Sequence, residues 1–234
     1  MSLSTDARLC GAVYVIHCSG RITTDTLGLL EMSIGRALLE SRRLVLDLGG
    51  VTRMDSSGIG LFVRYLSHTR SRGGDLRLST APPLIAELLR ATRLTTVFKV
   101  YDSEEEAILT FLKEPALSGG NVSREGRSVL FVDRSSDLCA FARALLDSHG
   151  YNVASTCRTH DAKLLLLSSN FDYVILGPES SQGPSLPATD ILKSAAQKAR
   201  VVQLPPGFSY DDPQRAGAEL LRMLEGAKSA GAQV

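Results

Sequence analysis

The chain has 234 residues, room for one large or two modest domains that each bury a core. Its 26 Lys and Arg nearly cancel 25 Asp and Glu, leaving a formal net charge of +1. There is no positive field of the kind that draws phosphate backbones or anionic lipid, so nucleic acid is excluded as a main partner. Cys10, Cys18, Cys139 and Cys157 lack CxxC spacing, and only His17 stands beside one of them. That speaks against a metal site or a disulfide framework and for a reducing cytoplasm. No early apolar run has signal-peptide length, and none approaches the roughly 20 residues of a membrane span, so a soluble, unexported protein with no membrane partner is expected.

From residue 12 onward, short apolar runs alternate with helical patterns. "AVYVIHCSG" (12–20) and "RRLVLDL" (42–48) suit strands, and between them "TLGLLEMSIGRALLESR" has apolar residues at helical spacing with a charged back face. "GGDLRLST" reads as a turn and strand, "PPLIAELLRATRL" as a helix with proline in its first turn, and "VFKVY" (97–101) as a further strand. "DSEEEAILTFLK" opens with an acidic first turn that the helix dipole favours. The pattern predicts helices packed on a mixed sheet over residues 1–113.

"EPALSGGNVSREGR" (114–127) loses the period and gathers Pro, Gly, Ser and Asn, as a linker does. Residues 128–226 then run "SVLFVD", "SSDLCAFARALLDSHG", "YNVASTC", "THDAKLLLLSSN" and "DYVILG", a βαβαβ order that implies a parallel sheet. "PATDILKSAAQKA" supplies a further helix, "RVVQLP" a strand and "DDPQRAGAELLRMLEGA" a closing helix, with 227–234 as a flexible tail. The fold class is α/β in both halves. The run "LLLLSS" is apolar around too much of its helix for a one-sided face, which fits deep burial or an interface patch.

The most informative stretch is "RLVLDLGGVTRMDSSGIGLFVRYL" (43–66), where a strand runs into Asp55, Ser56, Ser57 and Gly58 and then a helix. It is no hydrolase elbow, since Ser56 follows Met54 and Asp55 rather than a spaced glycine, and no phosphate loop, since "SSGIG" lacks the lysine. Locally, Asp and Ser are good N-caps. A serine at a helix N-terminus is also a place where a phosphate meets free backbone N–H groups, and its modification adds about −1.5 to −2 charges.

Those residues carry a resemblance. Residues 12–113, through "SGRIT", "LVLDLGGVTRMDSSGIGLFVRYL" and the glycine-led strand downstream, resemble a STAS domain, the fold of anti-sigma factor antagonists. The resemblance implies phosphorylation of Ser56 by a GHKL-type serine kinase that doubles as an anti-sigma factor. It implies release on phosphorylation and restoration by a PP2C-type phosphatase. Asp55, Ser57, Gly58, Thr23 and Asp25 would form the partner-binding loop. The chain departs from many such antagonists in placing Thr23 and Thr24 where an acidic residue follows the first-strand glycine.

The second half resembles a response-regulator receiver, through its strand-helix rhythm and "HGYNV" and "FDYVIL". The family's catalytic residues are missing. Gly177 stands where a phosphoryl-accepting carboxylate ends the third strand, and the acidic pair after the first strand has become Asp133-Arg134, with Arg134 in the cation's place. Asp172 lies at the strand's other end, and Glu179 lies in a loop. The fourth helix and fifth strand look lost or shortened. The expectation is a flavodoxin-like pseudo-receiver that survives as a docking or homodimerising surface, and a bacterial signalling adaptor with no catalysis and no cofactor of its own. Two alternatives stay open: a two-component regulator whose receiver half senses phosphate or another ligand, and a scaffold that is never modified. His17, His68, His149 and His160 are scattered, and half-buried packing is the expectation for His17.

Overall fold

The computed structural model describes residues 2–114, 126–178, 192, 196 and 199–229. The chain divides into two compact units, Met1–Asn121 and Val122–Val234. Of the expected linker, residues 115–125 lie outside the described residues, while Glu114 is tied into the first unit by ion pairs to Arg77 and Lys99.

The first unit comprises β1 Ser4–Cys10, β2 Val13–Ile22, α1 Leu27–Glu40, β3 Arg43–Met54, α2 Ser56–Ser71, β4 Asp75–Ser79, α3 Pro83–Ala91, β5 Val100–Tyr101 and α4 Glu104–Lys113. Its strands lie in the order β5-β4-β3-β2-β1, with β1 antiparallel to β2 and the remaining pairs parallel. Alternation splits each strand between two faces. Ile16, Cys18, Leu44, Leu46, Leu76 and Leu78 meet Leu30, Ile34, Leu61, Phe62, Ile85 and Leu89 from α1, α2 and α3 in one core. The alternate residues Val15, His17, Val45, Asp47, Arg77 and Ser79 turn to the opposite face. There α4 buries Ala107, Ile108 and Phe111. One side of the sheet is thus hydrocarbon, and the other mixes hydrocarbon with charge.

Two elements differ from the sequence reading. β1 was not expected, because "STDARLC" has only its last residue buried and so carries no apolar period. "VFKVY" yields a strand only at Val100–Tyr101, because Phe98 is drawn into the core, its ring edge-on to Phe62 at 6.4 Å. β3 also runs six residues past "LVLDL", through a register shift opposite His17 and Ser19, and so delivers its end directly to Asp55.

The second unit contains β6 Ser128–Val132, α5 Ser136–Ser148, β7 Asn152–Thr156, α6 Thr159–Ser168, β8 Tyr173–Leu176, β9 Arg200–Gln203 and α7 Pro213–Ser229. Its strand order is β7-β6-β8-β9, all parallel. Val129, Phe131, Tyr173 and Ile175 pack with Leu138, Ala142 and Leu146 of α5 and Leu220 and Leu224 of α7. Leu130, Val132, Val174 and Leu176 are buried on the other face, the side of α6 by alternation. In the leucine run, Leu164 and Leu165 are buried but Leu167 is 79% exposed, so α6 is one-sided after all. The helix expected at 187–199 lies outside the described residues apart from Leu192, Ala196 and Ala199, and α7 reaches Ser229, into the stretch expected as a tail. Among the described residues this sheet has four strands, and no helix is long and apolar enough to cross a membrane.

Candidate functional site

The junction between β3 and α2 is built around Asp55. Its backbone is extended, with φ −108° and ψ −179°, and its N–H donates to the Ile22 carbonyl at 3.2 Å, which ties the end of β3 to the end of β2. One carboxylate oxygen accepts from the N–H groups of Ser57 at 2.9 Å and Gly58 at 3.2 Å, and the other from Thr24 N–H at 3.2 Å. Asp55 is therefore the N-cap of α2 and a clasp on the turn after β2. Desolvation pushes its carboxyl up, but the Gly58, Thr24 and Ser57 amides together outweigh it and hold the group below the ordinary aspartate range.

The structure separates the two serines. The Ser57 hydroxyl is held by the Thr24 hydroxyl at 2.8 Å. Ser56, the first residue of the helix, is exposed, and among the described residues its hydroxyl has no hydrogen-bond partner. A cluster of free amides was expected to receive a phosphate, and this is corrected. Asp55 already holds the Ser57 and Gly58 amides, and Ile59 N–H is bonded to the Asp55 carbonyl at 3.3 Å. A phosphate on Ser56 would stand next to a carboxylate that has taken the helix terminus, so it would add charge outward rather than settle into a cradle.

Gly58 is buried, and a Cβ there would meet the Ile22 side chain at 2.8 Å and Met54 at 2.9 Å, so the glycine serves the close approach of α2 to the sheet. Thr23 is half-buried and its N–H donates to the Thr26 hydroxyl at 3.0 Å, while Asp25 is exposed in the following turn. Thr24, which the sequence reading did not place in the loop, is the one that touches both Asp55 and Ser57. Arg21 and Arg53, exposed register partners near the ends of β2 and β3, flank the same edge.

Residues 5–107 match the family model described as "STAS domain". The first unit is a STAS domain. Over 110 residues the chain is 24% identical to an anti-sigma F factor antagonist of Paenibacillus polymyxa, spanning 46% of this chain and 94% of that one. Among solved structures it is similar to an anti-sigma factor antagonist from Mycobacterium paratuberculosis, at 24% identity over 47% of this chain and 93% of that one, TM-score 0.41. It is similar also to the Bacillus cell fate determinant SpoIIAA in its phosphorylated form, at 19% identity over 46% and 99%, TM-score 0.40.

On the charged face of the STAS domain sits a second cluster that no local motif announces. His17 Nε2 lies 3.0 Å from Glu104 and Nδ1 lies 3.6 Å from Asp47. Glu104 also pairs with Arg8, and Asp47 accepts from Thr80, from Ser79 at 3.0 Å and from Gly49 N–H at 3.3 Å. His17, Asp47 and Glu104 offer ligand atoms within 4.8 Å of one another, as a metal site would. The two ring nitrogens face different carboxylates, however, so the arrangement suits a protonated imidazole bridging them, and the 3.5 Å approach of Arg8 to Nε2 is then two cations sharing Glu104. Asp47 first and Glu104 second raise the His17 pKa to about 9, against burial and Arg8.

That shift fixes a sign. A histidine whose folded pKa lies above its unfolded value stabilises fully below pH 6.5 and loses the effect as pH rises through about 9. Partial exposure screens the pair, leaving about 1–2 kcal/mol. Urea midpoints of the full chain should fall between pH 7 and pH 10, and His17→Gln should flatten that fall; a wild-type curve flat across the range would remove the bridge.

In the second unit, chain order reverses between β6 and β8, so the crevice at their carboxyl ends is where a doubly wound sheet takes a ligand. Asp133 and Gly177 flank it. Asp133 is 1% exposed, with one carboxylate oxygen accepting from Ser135 N–H at 2.8 Å. A Cβ on Gly177 would stand 2.2 Å from the other carboxylate oxygen of Asp133. The glycine is thus the mould of the carboxylate that fills the crevice. Arg134 is exposed. Asp172 accepts from Ser128 N–H at 2.7 Å and from its hydroxyl at 2.9 Å, a structural clasp at the far end of the sheet, and Glu179 lies outside the described residues. Gly177→Asp, which would restore an acceptor on paper, should instead destabilise the second unit by about 1–3 kcal/mol. Denaturant titration checks this, and an unchanged midpoint with new phosphoryl labelling from acetyl phosphate would contradict it.

Proposed function

We propose that the chain is a cytoplasmic signalling adaptor of the anti-sigma factor antagonist type, switched by phosphorylation of Ser56. The observation that carries the reading is the contrast within the loop: Ser57 is bonded to Thr24, while the Ser56 hydroxyl is exposed and unpartnered among the described residues. The partner is a serine kinase of the GHKL type that doubles as an anti-sigma factor and supplies ATP, and a PP2C-type phosphatase restores the unmodified form. Unmodified, the loop offers a neutral hydroxyl beside a clasped carboxylate, a surface a partner can desolvate. Modified, it carries two adjacent anions, which are costly to bury. The chain itself performs no chemistry.

The second unit is read as a pseudo-receiver that docks or dimerises. Its parallel 2-1-3-4 strand order supports a flavodoxin-like descent, and the Asp133 carboxylate lodged against Gly177 weighs against phosphoryl acceptance there.

The test is to incubate the full chain with candidate serine kinases and ATP, and separately with acetyl phosphate, and to map mass shifts. A phosphate on Ser56 alone, from the kinase arm alone, is expected. Modification of Ser57, a Ser56 that no kinase labels, or an aspartyl phosphate in the second unit overturns the reading.

A further inference from the structure

The cysteine spacing gives no hint of pairing, yet two of the four thiols meet. Cys139, in the first turn of α5, and Cys157, directly after β7, are 18 residues apart in sequence, and their sulfurs are 3.9 Å apart. A disulfide needs about 2 Å between sulfurs, so closure asks for a displacement a rotamer change can supply. The pair sits at the carboxyl edge of the sheet, beside the filled crevice: the Cys139 sulfur is 3.4 Å from the Asp133 carbonyl and 3.7 Å from that of Thr156. The two are not alike. Cys139 is 4% exposed, whereas Cys157 is only partly covered. Cys10 and Cys18 are 0% and 1% exposed in the first unit.

We propose that Cys139 and Cys157 form a reversible oxidation site for hydroperoxides, with Cys157 as the attacking sulfur and Cys139 as the resolving one. The Cys157 thiolate attacks the terminal oxygen of the peroxide, the O–O bond breaks, and the products are a sulfenic acid and hydroxide, which takes up a proton. The Cys139 sulfur then attacks the sulfenic sulfur, the S–O bond breaks, water leaves with the Cys139 proton, and the disulfide forms. The balance is two thiols and one hydrogen peroxide to one disulfide and two waters, and a dithiol reductant reverses it by exchange. The order of events follows the surroundings. The sulfur–sulfur contact with Cys139 lowers the Cys157 pKa against its partial burial, while that same partner and deep burial drive Cys139 strongly up. Once closed, the bond would fasten the segment after β7 to the first turn of α5, so the edge next to Asp133 would change its mobility with the oxidant supply.

The experiment uses the reduced full chain treated with hydrogen peroxide, quenched with an alkylating reagent and mapped by mass. The expected product is an intrachain link between Cys139 and Cys157, removed by dithiothreitol, with Cys10 and Cys18 alkylated only after unfolding. Cys157 should alkylate on the order of tenfold faster than Cys10 or Cys18 in the folded chain. Cys139→Ala should trap a dimedone adduct on Cys157, and Cys157→Ser should yield none on Cys139. Should Cys139→Ala not fold, the wild-type link alone decides. Links only between chains, a sulfinic acid on Cys157 beside a reduced Cys139, or no reaction at peroxide levels that oxidise free cysteine would overturn the proposal.

Discussion

If the proposed function holds, Ser56→Asp should weaken capture by a GHKL-type partner kinase by about tenfold or more, while Ser56→Ala should leave it within about twofold, read by titration calorimetry; tenfold corresponds to about 1.4 kcal/mol. The two variants are cleanly comparable because neither touches the cap. Asp55, not Ser56, accepts the Ser57 and Gly58 amides, so truncating Ser56 removes no capping bond. An aspartate at the first helical position is favoured by the dipole, so the variant folds at least as well as the parent. What it adds is a second anion beside a carboxylate that stays charged because three amides hold it. Like charges brought together at a desolvated interface cost several kcal/mol, well above the loss asked for here. Ser57→Ala provides the contrast. It breaks the bond to Thr24 and loosens the loop but leaves the hydroxyl that the kinase would modify. Equal affinity of the Ala and Asp variants would sink the charge mechanism, whatever their stability.

The parts of this chain legible in its sequence are those whose physics is local. "DSSG" announces a cap, and the cap is there; the apolar periods of α1 and α2 and the buried run of β6 follow from spacing alone. The parts that were illegible depend on the third dimension. β1 has no apolar period because only its last residue, Cys10, is buried. His17, Asp47 and Glu104 come from two strands and a helix and meet only because parallel register sets His17 opposite Asp47. The same holds for Cys139 and Cys157, which a search for close spacing passes over. That Gly177 stands where the receiver resemblance implies a carboxylate was legible in the sequence; that a side chain there would collide with the Asp133 carboxylate was not. The resemblance already separated Ser56 from Ser57, but the contact that sets Ser57 apart, to the Thr24 hydroxyl more than thirty positions away, was not legible.

The largest effect on stability is expected at Arg77, which nothing in "GGDLRLST" marks as special. Its side chain is 0% exposed, at the centre of the face that α4 covers. The guanidinium lies 3.5 Å above the Phe111 ring and 5.7 Å from that of Tyr101, pairs with Glu114, donates to the Thr110 hydroxyl at 2.7 Å and approaches Asp75 at 3.7 Å. Arg43 reinforces the same contact by donating to the carbonyls of Phe111 at 2.9 Å and Glu114 at 3.2 Å. Arg77 thus joins β4 to the whole inner side of α4. Arg77→Ala removes the largest fully buried side chain among the described residues and leaves a cavity under α4, for an expected loss of about 3–5 kcal/mol, although Asp75 keeps Arg70 and Thr110 keeps the Glu106 and Ala107 carbonyls. Arg77→Met keeps the volume and the contact with Phe111 while deleting the charge. Glu114 is 43% exposed and can turn to water, and Lys99 lies 3.1 Å from it, so the methionine variant should lose no more than about half as much. Urea denaturation followed by a probe on the first unit distinguishes the two cases. Equal losses would mean that the ion pairs rather than the packed stem hold α4, whereas a near-neutral alanine variant would mean that α4 is held by Ala107, Ile108 and Phe111 alone.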